Sequence, residues 1–430
     1  MLLVLLALLT ITASPFDLIE LALDPNVILA VLLVNALFLL YRVVVILDAY
    51  QLSARARRAW PRAGRGSAGV LVAVLLGTAM IHGAIGYVGY RAYEADRAIL
   101  ADDQGHVGFE IPEPSWGPGG SGAQGQAAPT LQAKPSWADD GRLNLLLIGS
   151  DNGPGRWSLR TDTMMVLSVD AGTGRAALFG IPRNMVNVPL APESANAFPC
   201  RCFPDLLNGL YVYAMAHPNQ FPGGEARGFR AVTGAVQELV GVRLDGMIGV
   251  SLNGFVSLVN AIGGLWINVP APLHDDRYPL EDGSRDVVIS IKAGCQKLNG
   301  RMALAYARSR HQDSDYGRMK RQQLVLLALR QQLDPLKLLP QAADLLELAR
   351  DNLFTTLTRG EIADLARLAR HVDARKVKTY TFVPPKYPSA LNDTAIASIR
   401  SLVRGIFDRA NPTTPSATPK PSATPTTHCG

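Results

Sequence analysis

Two long apolar runs, Val27 to Leu47 and Ala68 to Tyr90, constrain this 430-residue chain more than any other feature. Each is long enough to cross the ~30 Å hydrocarbon core of a bilayer, and Arg42, which interrupts the first, must snorkel to an interface. A hydrophobic content of 48% is high for a purely soluble protein, and the surplus sits at the front of the chain. Met1 to Ala13 is also apolar. It is short for a span and lacks the basic region of a signal peptide, so a short first span and a clipped one both remain open.

Loop charge predicts the orientation. Arg55, Arg57, Arg58, Arg62 and Arg65 lie between the two runs, whereas Ser14 to Asn26 carries only Asp17, Glu20 and Asp24. The positive-inside rule places the arginine loop in the cytoplasm and everything after Tyr90 outside. His82 reads as a functional intramembrane group or as a side chain packed on the neighbouring helix, with packing the expected reading. A net charge of +6 would suit nucleic acid, but an exported domain seldom meets any, so the expected partner is anionic lipid or polymer.

Export also suits the cysteines. Cys200, Cys202 and Cys295 fall in the outer part, and Cys429 lies at the C-terminal end. C-R-C is not a zinc-type C-x₂-C spacing, so a disulfide is expected in preference to zinc. One of Cys200 and Cys202, with Cys202 favoured, is expected to pair with Cys295.

The sequence divides into an anchor over 1–90, a Gly/Pro/Ser-rich stalk over 91–141, a folded domain over 142–410 and a Pro/Thr/Ser-rich tail over 411–430 that cannot bury a core. Short apolar runs predict strands at Leu143 to Ile148, Thr163 to Val169 and Arg175 to Ile181, the last two joined by a hairpin turn at Asp170 to Gly174. An antiparallel meander of the three brings Asp151, Arg160, Asp162 and Arg183 to one edge of the sheet. Helices follow at Leu206 to Ala216, Phe229 to Val240 and Phe255 to Ile262. Strands are expected at Met247 to Leu252 and Leu265 to Val269. Asp334 to Leu368 reads as mostly amphipathic helix, Val377 to Val383 as a strand and Ala395 to Asp408 as a closing helix. The class is α/β, a mixed sheet covered by helices.

The segment Tyr306 to Gln323, YARSRHQDSDYGRMKRQQ, crowds Arg308, Arg310, Arg318, Lys320 and Arg321 around Asp313 and Asp315. Guanidinium forks at this density repel one another unless an anion or carboxylate sits among them. The charges do not follow one helical face, which argues against a merely solvated helix surface. A helix beginning near Gly317 places Arg318 and Gln322 on one face of its first turn, where free N–H groups also favour an anion. The carboxylates Asp151 and Asp162 beside Arg160 and Arg183 read either as structural ion pairs or as a divalent-metal and phosphate site. No nucleophile elbow, Walker A loop, H-E-x-x-H or G-x-G-x-x-G frames a rival site.

NLLLIGSD, RTDTMMVLSVD, GIPRN, LNG before ALAYARSR, and D-x-D-x-G-R-x-x-R-Q-Q occur here in that order. Together they resemble the signature of the LytR-CpsA-Psr family from Leu143 to Gln323, with a weaker continuation to about Ala410. The resemblance implies an α-β-α sandwich with an apolar lipid tunnel. It also implies a magnesium-dependent phosphotransferase that moves a glycopolymer from a polyprenyl-pyrophosphate carrier to peptidoglycan at the outer face of the cell membrane. Carried over by residue, Asp151 and Asp162 correspond to the metal-site carboxylates. Arg160, Arg183, Arg308, Arg310, Arg318 and Gln322 correspond to the pyrophosphate-binding set, with Arg321 accompanying them. The family commonly has an acid directly after IPR; this chain has Asn184, to which no catalytic role is assigned. A non-catalytic polyprenyl-pyrophosphate binder and a pyrophosphate hydrolase need the same cations and stay open as alternatives.

Overall fold

The computed structural model describes residues 25–59, 67–99, 111–116, 141–150, 160–280, 284–333 and 342–407. The chain divides into two compact units, residues 1–100 with 339–350 and residues 101–338 with 351–430.

In the first unit, α1 (Pro25–Ala59) packs against α2 (Ser67–Ile99). Their segments Asn26–Ser53 and Ala68–Glu94 are long and apolar enough to cross a membrane. Between them Asn35 Nδ2 donates to the His82 carbonyl at 2.9 Å, and Asn35 Oδ1 lies 2.7 Å from His82 Nδ1. His82 is thus a polar tie between the two helices, the kind of contact that joins helices in an apolar solvent.

The second unit opens with β1 (Arg142–Ser150), β2 (Thr161–Asp170) and β3 (Ala176–Gly180). They pair antiparallel as the meander the apolar runs predict. After the short pair β4 (Val188–Pro189) and β5 (Cys202–Phe203) come α3 (Leu210–Ala216), α4 (Arg227–Val240) and β6 (Gly246–Ser251). Then follow α5 (Leu252–Ala261), β7 (Leu265–Val269), β8 (Leu273–Pro279), β9 (Asp286–Ile291) and β10 (Gly294–Leu298). The chain closes with α6 (Gly300–Arg308), α7 (Asp315–Gln332), α8 (Ala342–Asn352), which belongs mostly to the first unit, β11 (Leu353–Thr355), α9 (Arg359–Ala369), β12 (Lys378–Thr381) and α10 (Asp393–Arg404).

The main sheet has the order β11-β6-β1-β2-β3-β12 and is mixed, because β6 joins β1, and β12 joins β3, in parallel. Strand alternation sorts its side chains onto two faces. Leu146, Ile148, Met164, Val166, Ala177 and Phe179 share one core with α4 and α10, whereas Leu143, Leu145, Met165, Val169 and Leu178 share another with Leu327 of α7 and Leu368 of α9. Helices on both faces make the predicted α-β-α sandwich. A third core lies beneath β7, the β8–β9 hairpin and α5 to α7.

Two expectations change. The helix expected over Asp334 to Leu368 is interrupted where β11 pairs antiparallel with β6, Leu353 opposite Val250. A new helix, α9, then begins at a capping box in which Thr358 and Glu361 satisfy each other's backbone N–H groups. The expected Cys202–Cys295 disulfide is not formed. Cys202 is bonded to Cys200, and Cys295 is disulfide-bonded to neither of them. Arg201 takes the left-handed conformation, φ 55°, which folds the chain back within three residues and brings the two Cα atoms to 5.1 Å, inside bridging range.

Candidate active site

The register of the meander builds one corner of the site. Met165 stands opposite Gly180, and the same register, continued outward, sets Asp162 opposite Arg183. Arg183 Nη1 donates to Asp162 Oδ1 at 2.5 Å, and Asn208, from the turn before α3, donates to the same oxygen at 3.2 Å. Arg183 reaches in the other direction through Nε, 3.3 Å from Asp315 Oδ1.

The other corner comes from the cationic segment. Ser314 caps α7 by accepting from the Gly317 N–H, which begins the helix at Asp315. Gly317 is required here: a Cβ would collide with the Asp313 carboxylate. The first turn of α7 then aims Arg318 inward. Its Nη2 lies 3.0 and 3.1 Å from the two Asp315 oxygens and 3.3 Å from the Asp162 carbonyl. Asp162, Arg183, Asp315 and Arg318 therefore form one alternating chain of charge.

This chain lines a cavity of about 1240 Å³. Arg160, Asn184, Arg308 and Arg310 line it too, as do Asp275, Arg277 and Tyr278 of the β8–β9 hairpin and His311 and Asp313 of the loop before α7. The hairpin was not anticipated from sequence, because its pairing slips between Asp275 and Tyr278 and the bulge breaks the period-2 pattern. Arg308 lies over the Tyr278 ring at 5.7 Å, with Nη1 3.4 Å from the phenol oxygen. Among the described residues Arg160 and Arg310 make no ion pair, and both are exposed to the cavity.

Electrostatics follow the pairing. Burial alone would lift the Asp162 carboxyl, but the Arg183 guanidinium, with help from Arg318 and Asn208, holds it below the usual carboxylate range. Arg183 sits between two carboxylates that together outweigh its own burial, so its affinity for the proton rises. Arg318 is pushed down to about 10 by burial and by repulsion from Arg183. Its Nε is buried without a hydrogen-bond partner. A buried cation with an unused donor costs free energy until an anion arrives.

The sequence-predicted residues thus separate. Arg160, Asp162, Arg183, Arg308, Arg310 and Arg318 converge on the cavity. Asp151 lies outside the described residues. Gln322 is buried and does not line the cavity. Arg321 has turned its fork the other way, onto the carbonyls of Tyr306 (2.9 Å) and Ser309 (2.5 Å) and onto both Asp313 oxygens (2.5 and 3.1 Å). It braces the loop between α6 and α7. Asn208, Asp315 and Asp275 were missed as site residues; Asp315 was visible in the D-x-D-x-G run, whereas Asn208 and Asp275 carry no local motif.

Among the described residues no three metal-ligating side chains cluster. Asp162 nevertheless directs only Oδ1 to its protein partners, which leaves Oδ2 as a hard donor in the cavity. That suits magnesium, which takes one or two carboxylates and fills its other positions with water and phosphate oxygens.

Fold and site together define a mixed α/β protein with an arginine-lined cavity, in a chain that also carries two apolar helices. The chain belongs to the LytR_cpsA_psr family, whose profile matches residues 121–397. It is 26% identical over 222 residues to the polyisoprenyl-teichoic acid--peptidoglycan teichoic acid transferase TagV of Bacillus subtilis, covering 51% of each chain. To biofilm regulatory protein A of Streptococcus mutans it is 25% identical over 258 residues, covering 58% of this chain and 59% of that one. The chain thus spans only half to three fifths of these relatives' length. The crystal structure of B. subtilis TagV superposes with a TM-score of 0.45 at 22% identity, covering 62% of this chain and 97% of that one.

Proposed function

We propose that this chain is a membrane-anchored phosphotransferase, acting outside the cell membrane, that moves a glycopolymer from a polyprenyl-pyrophosphate carrier to peptidoglycan. The observation that carries the reading is the convergence of Arg160, Arg183, Arg308, Arg310 and Arg318 from three separated stretches of chain on one cavity beside Asp162. Bidentate forks match phosphate oxygens, and a diphosphate supplies the negative charge that this set lacks. The transferase name of the TagV relative supports the same reaction class. The two apolar helices and the arginine loop between them support the anchor and its orientation.

Arg318 and Arg183 are held in place by Asp315 and Asp162, so their charge is preorganised where the donor's diphosphate would sit. Arg160 and Arg310, which pair with no carboxylate among the described residues, close on its remaining oxygens. Magnesium, held by Asp162 and Asp151, would offset charge on the diphosphate and on the departing polyprenyl phosphate. The acceptor hydroxyl then attacks the sugar-linked phosphorus, leaving a phosphodiester.

Transfer of a labelled polyprenyl-diphosphate glycan to peptidoglycan fragments, by the full chain in detergent, tests this. Arg310→Lys keeps the charge and loses the fork, so transfer should fall at least tenfold with an unchanged melting temperature. Lys320→Gln alters an exposed residue outside the cavity and should change little. Near-native transfer by both Arg310→Lys and Asp162→Asn would leave the charges as structural ion pairs. Release of free glycan phosphate without transfer would instead make the protein a hydrolase.

A further inference from the structure

A transfer of this kind needs a group that takes the acceptor's proton, and the cavity's carboxylates are poorly suited to it. Asp162 and Asp315 are tied to Arg183 and Arg318, and Asp313 is held in the Arg321 fork. Asn184 brings an amide to the corner beside Arg183. An exposed carboxylate is ordinarily a weak base at neutral pH, where an imidazole is well matched.

Among the described residues one imidazole lines the cavity, that of His311 in the loop before α7. His311 Nδ1 lies 2.7 Å from Asp275 Oδ1. The Asp275 side chain is only 1% exposed, while that of His311 is 31% exposed. Asp275 is itself fixed, accepting from Ser309 Oγ at 2.7 Å and from the Arg277 N–H at 3.0 Å. A carboxylate on Nδ1 selects the tautomer with its proton there, and the Nε2 lone pair then has no hydrogen-bond partner among the described residues. Burial raises the Asp275 carboxyl, but its hydrogen bonds from Ser309 and His311 outweigh that and keep it ionised. The plain alternative is a clasp between β8 and the loop before α7. Ser309 on Asp275 and Gln312 Nε2 on the Pro272 carbonyl, at 2.9 Å, already make that clasp.

We propose that His311, oriented by Asp275, is the general base of the transfer reaction and acts on the acceptor hydroxyl. This rests on the transferase reading above. The O–H proton passes to His311 Nε2 as the acceptor oxygen forms its bond to phosphorus. The bond from that phosphorus to the bridging oxygen breaks, and its electron pair leaves with the polyprenyl phosphate. Asp275 stabilises the imidazolium, which returns its proton to water. Asp275 is a positioning residue, because it acts only through the ring.

The test is His311→Gln in the full-length protein in detergent, since a Gln amide can donate to Asp275 but cannot take a proton. Three quantities are measured: glycan transfer between pH 5 and 9, affinity for geranyl diphosphate, and melting temperature. The charged groups that line the cavity with this ring include Asp275, Arg277 and Asp286 from the hairpin and Arg308, Arg310 and Asp313 from the adjoining α6 and loop. Imidazole is the side-chain type whose ordinary charge change falls between about pH 5 and 8. Transfer by the variant should fall about 10²- to 10⁴-fold at neutral pH, with diphosphate affinity within about twofold and melting unchanged. Wild-type kcat/KM should rise through the imidazole range and the variant's residual rate should not. Wild-type transfer rates in His311→Gln overturn the base, and so does a parallel loss of affinity and melting temperature, which marks a clasp. A wild-type protein that binds geranyl diphosphate but transfers no glycan overturns the transferase reading and the base with it.

Discussion

Arg318 should be the residue whose removal abolishes ligand binding while leaving the empty protein at least as stable. Its side chain is 4% exposed, and burial with repulsion from Arg183 pushes it down to about 10. At 1.36 kcal/mol for each pH unit, that displacement from the ordinary arginine value represents about 3 kcal/mol. The sign is unfavourable: the folded protein holds this proton less tightly than the unfolded chain. The cost is therefore fully present at neutral pH and lifts only as pH rises through about 10. Arg318→Met removes the buried cation without orphaning either carboxylate, because Asp315 keeps Arg183 Nε and Asp162 keeps Arg183 and Asn208. Unfolding free energy from urea titration should thus be unchanged or rise by up to about 3 kcal/mol. Geranyl diphosphate at a hundred times its Kd should stabilise the wild type by about 2.7 kcal/mol and the variant by under about 1 kcal/mol. A variant that is clearly less stable when empty, yet gains the full ligand stabilisation, would refute the reasoning.

The neighbouring Arg321→Met should behave in the opposite way, losing at least about 3 kcal/mol in the same titration, because it orphans buried carbonyls and the Asp313 carboxylate. Replacing Cys200 and Cys202 together by Ser should cost under about 2 kcal/mol, since the chain-entropy gain from so short a loop is small. A loss of about 4–5 kcal/mol, as expected for a loop of roughly a hundred residues, would contradict the observed pairing. Asp162, whose folded pKa is lowered, contributes stability that is present above its ordinary unfolded value and lost as pH falls through the folded one. The stability gap between wild type and Asp162→Asn should accordingly be constant from pH 5 to 7 and close below about pH 4; a gap independent of pH would remove the ion-pair account.

Local pattern was enough wherever the physics is local. Short apolar runs identified β1, β2 and β3, and because neighbours in sequence pair here, they also predicted the edge at which Arg160, Asp162 and Arg183 meet. Legibility failed where a residue's partner is remote. Nothing in HDDRYP announces that Asp275 will be buried beneath His311, 36 positions later.

By itself, the sequence determined two apolar spans, an α/β domain of mixed sheet and the supply of guanidinium groups for an anion, because those follow from hydrophobic period and composition. Only the tertiary structure decided how that supply is divided. Arg318 and Arg321 are three residues apart on one helix, only about 60° apart around its axis, so helix period alone would send both the same way and their partners decide. One faces the cavity with an unused Nε, and the other spends its fork on Tyr306, Ser309 and Asp313. Tertiary structure likewise decided the disulfide, since the left-handed backbone at Arg201, rather than spacing along the chain, determines which sulfur atoms can meet.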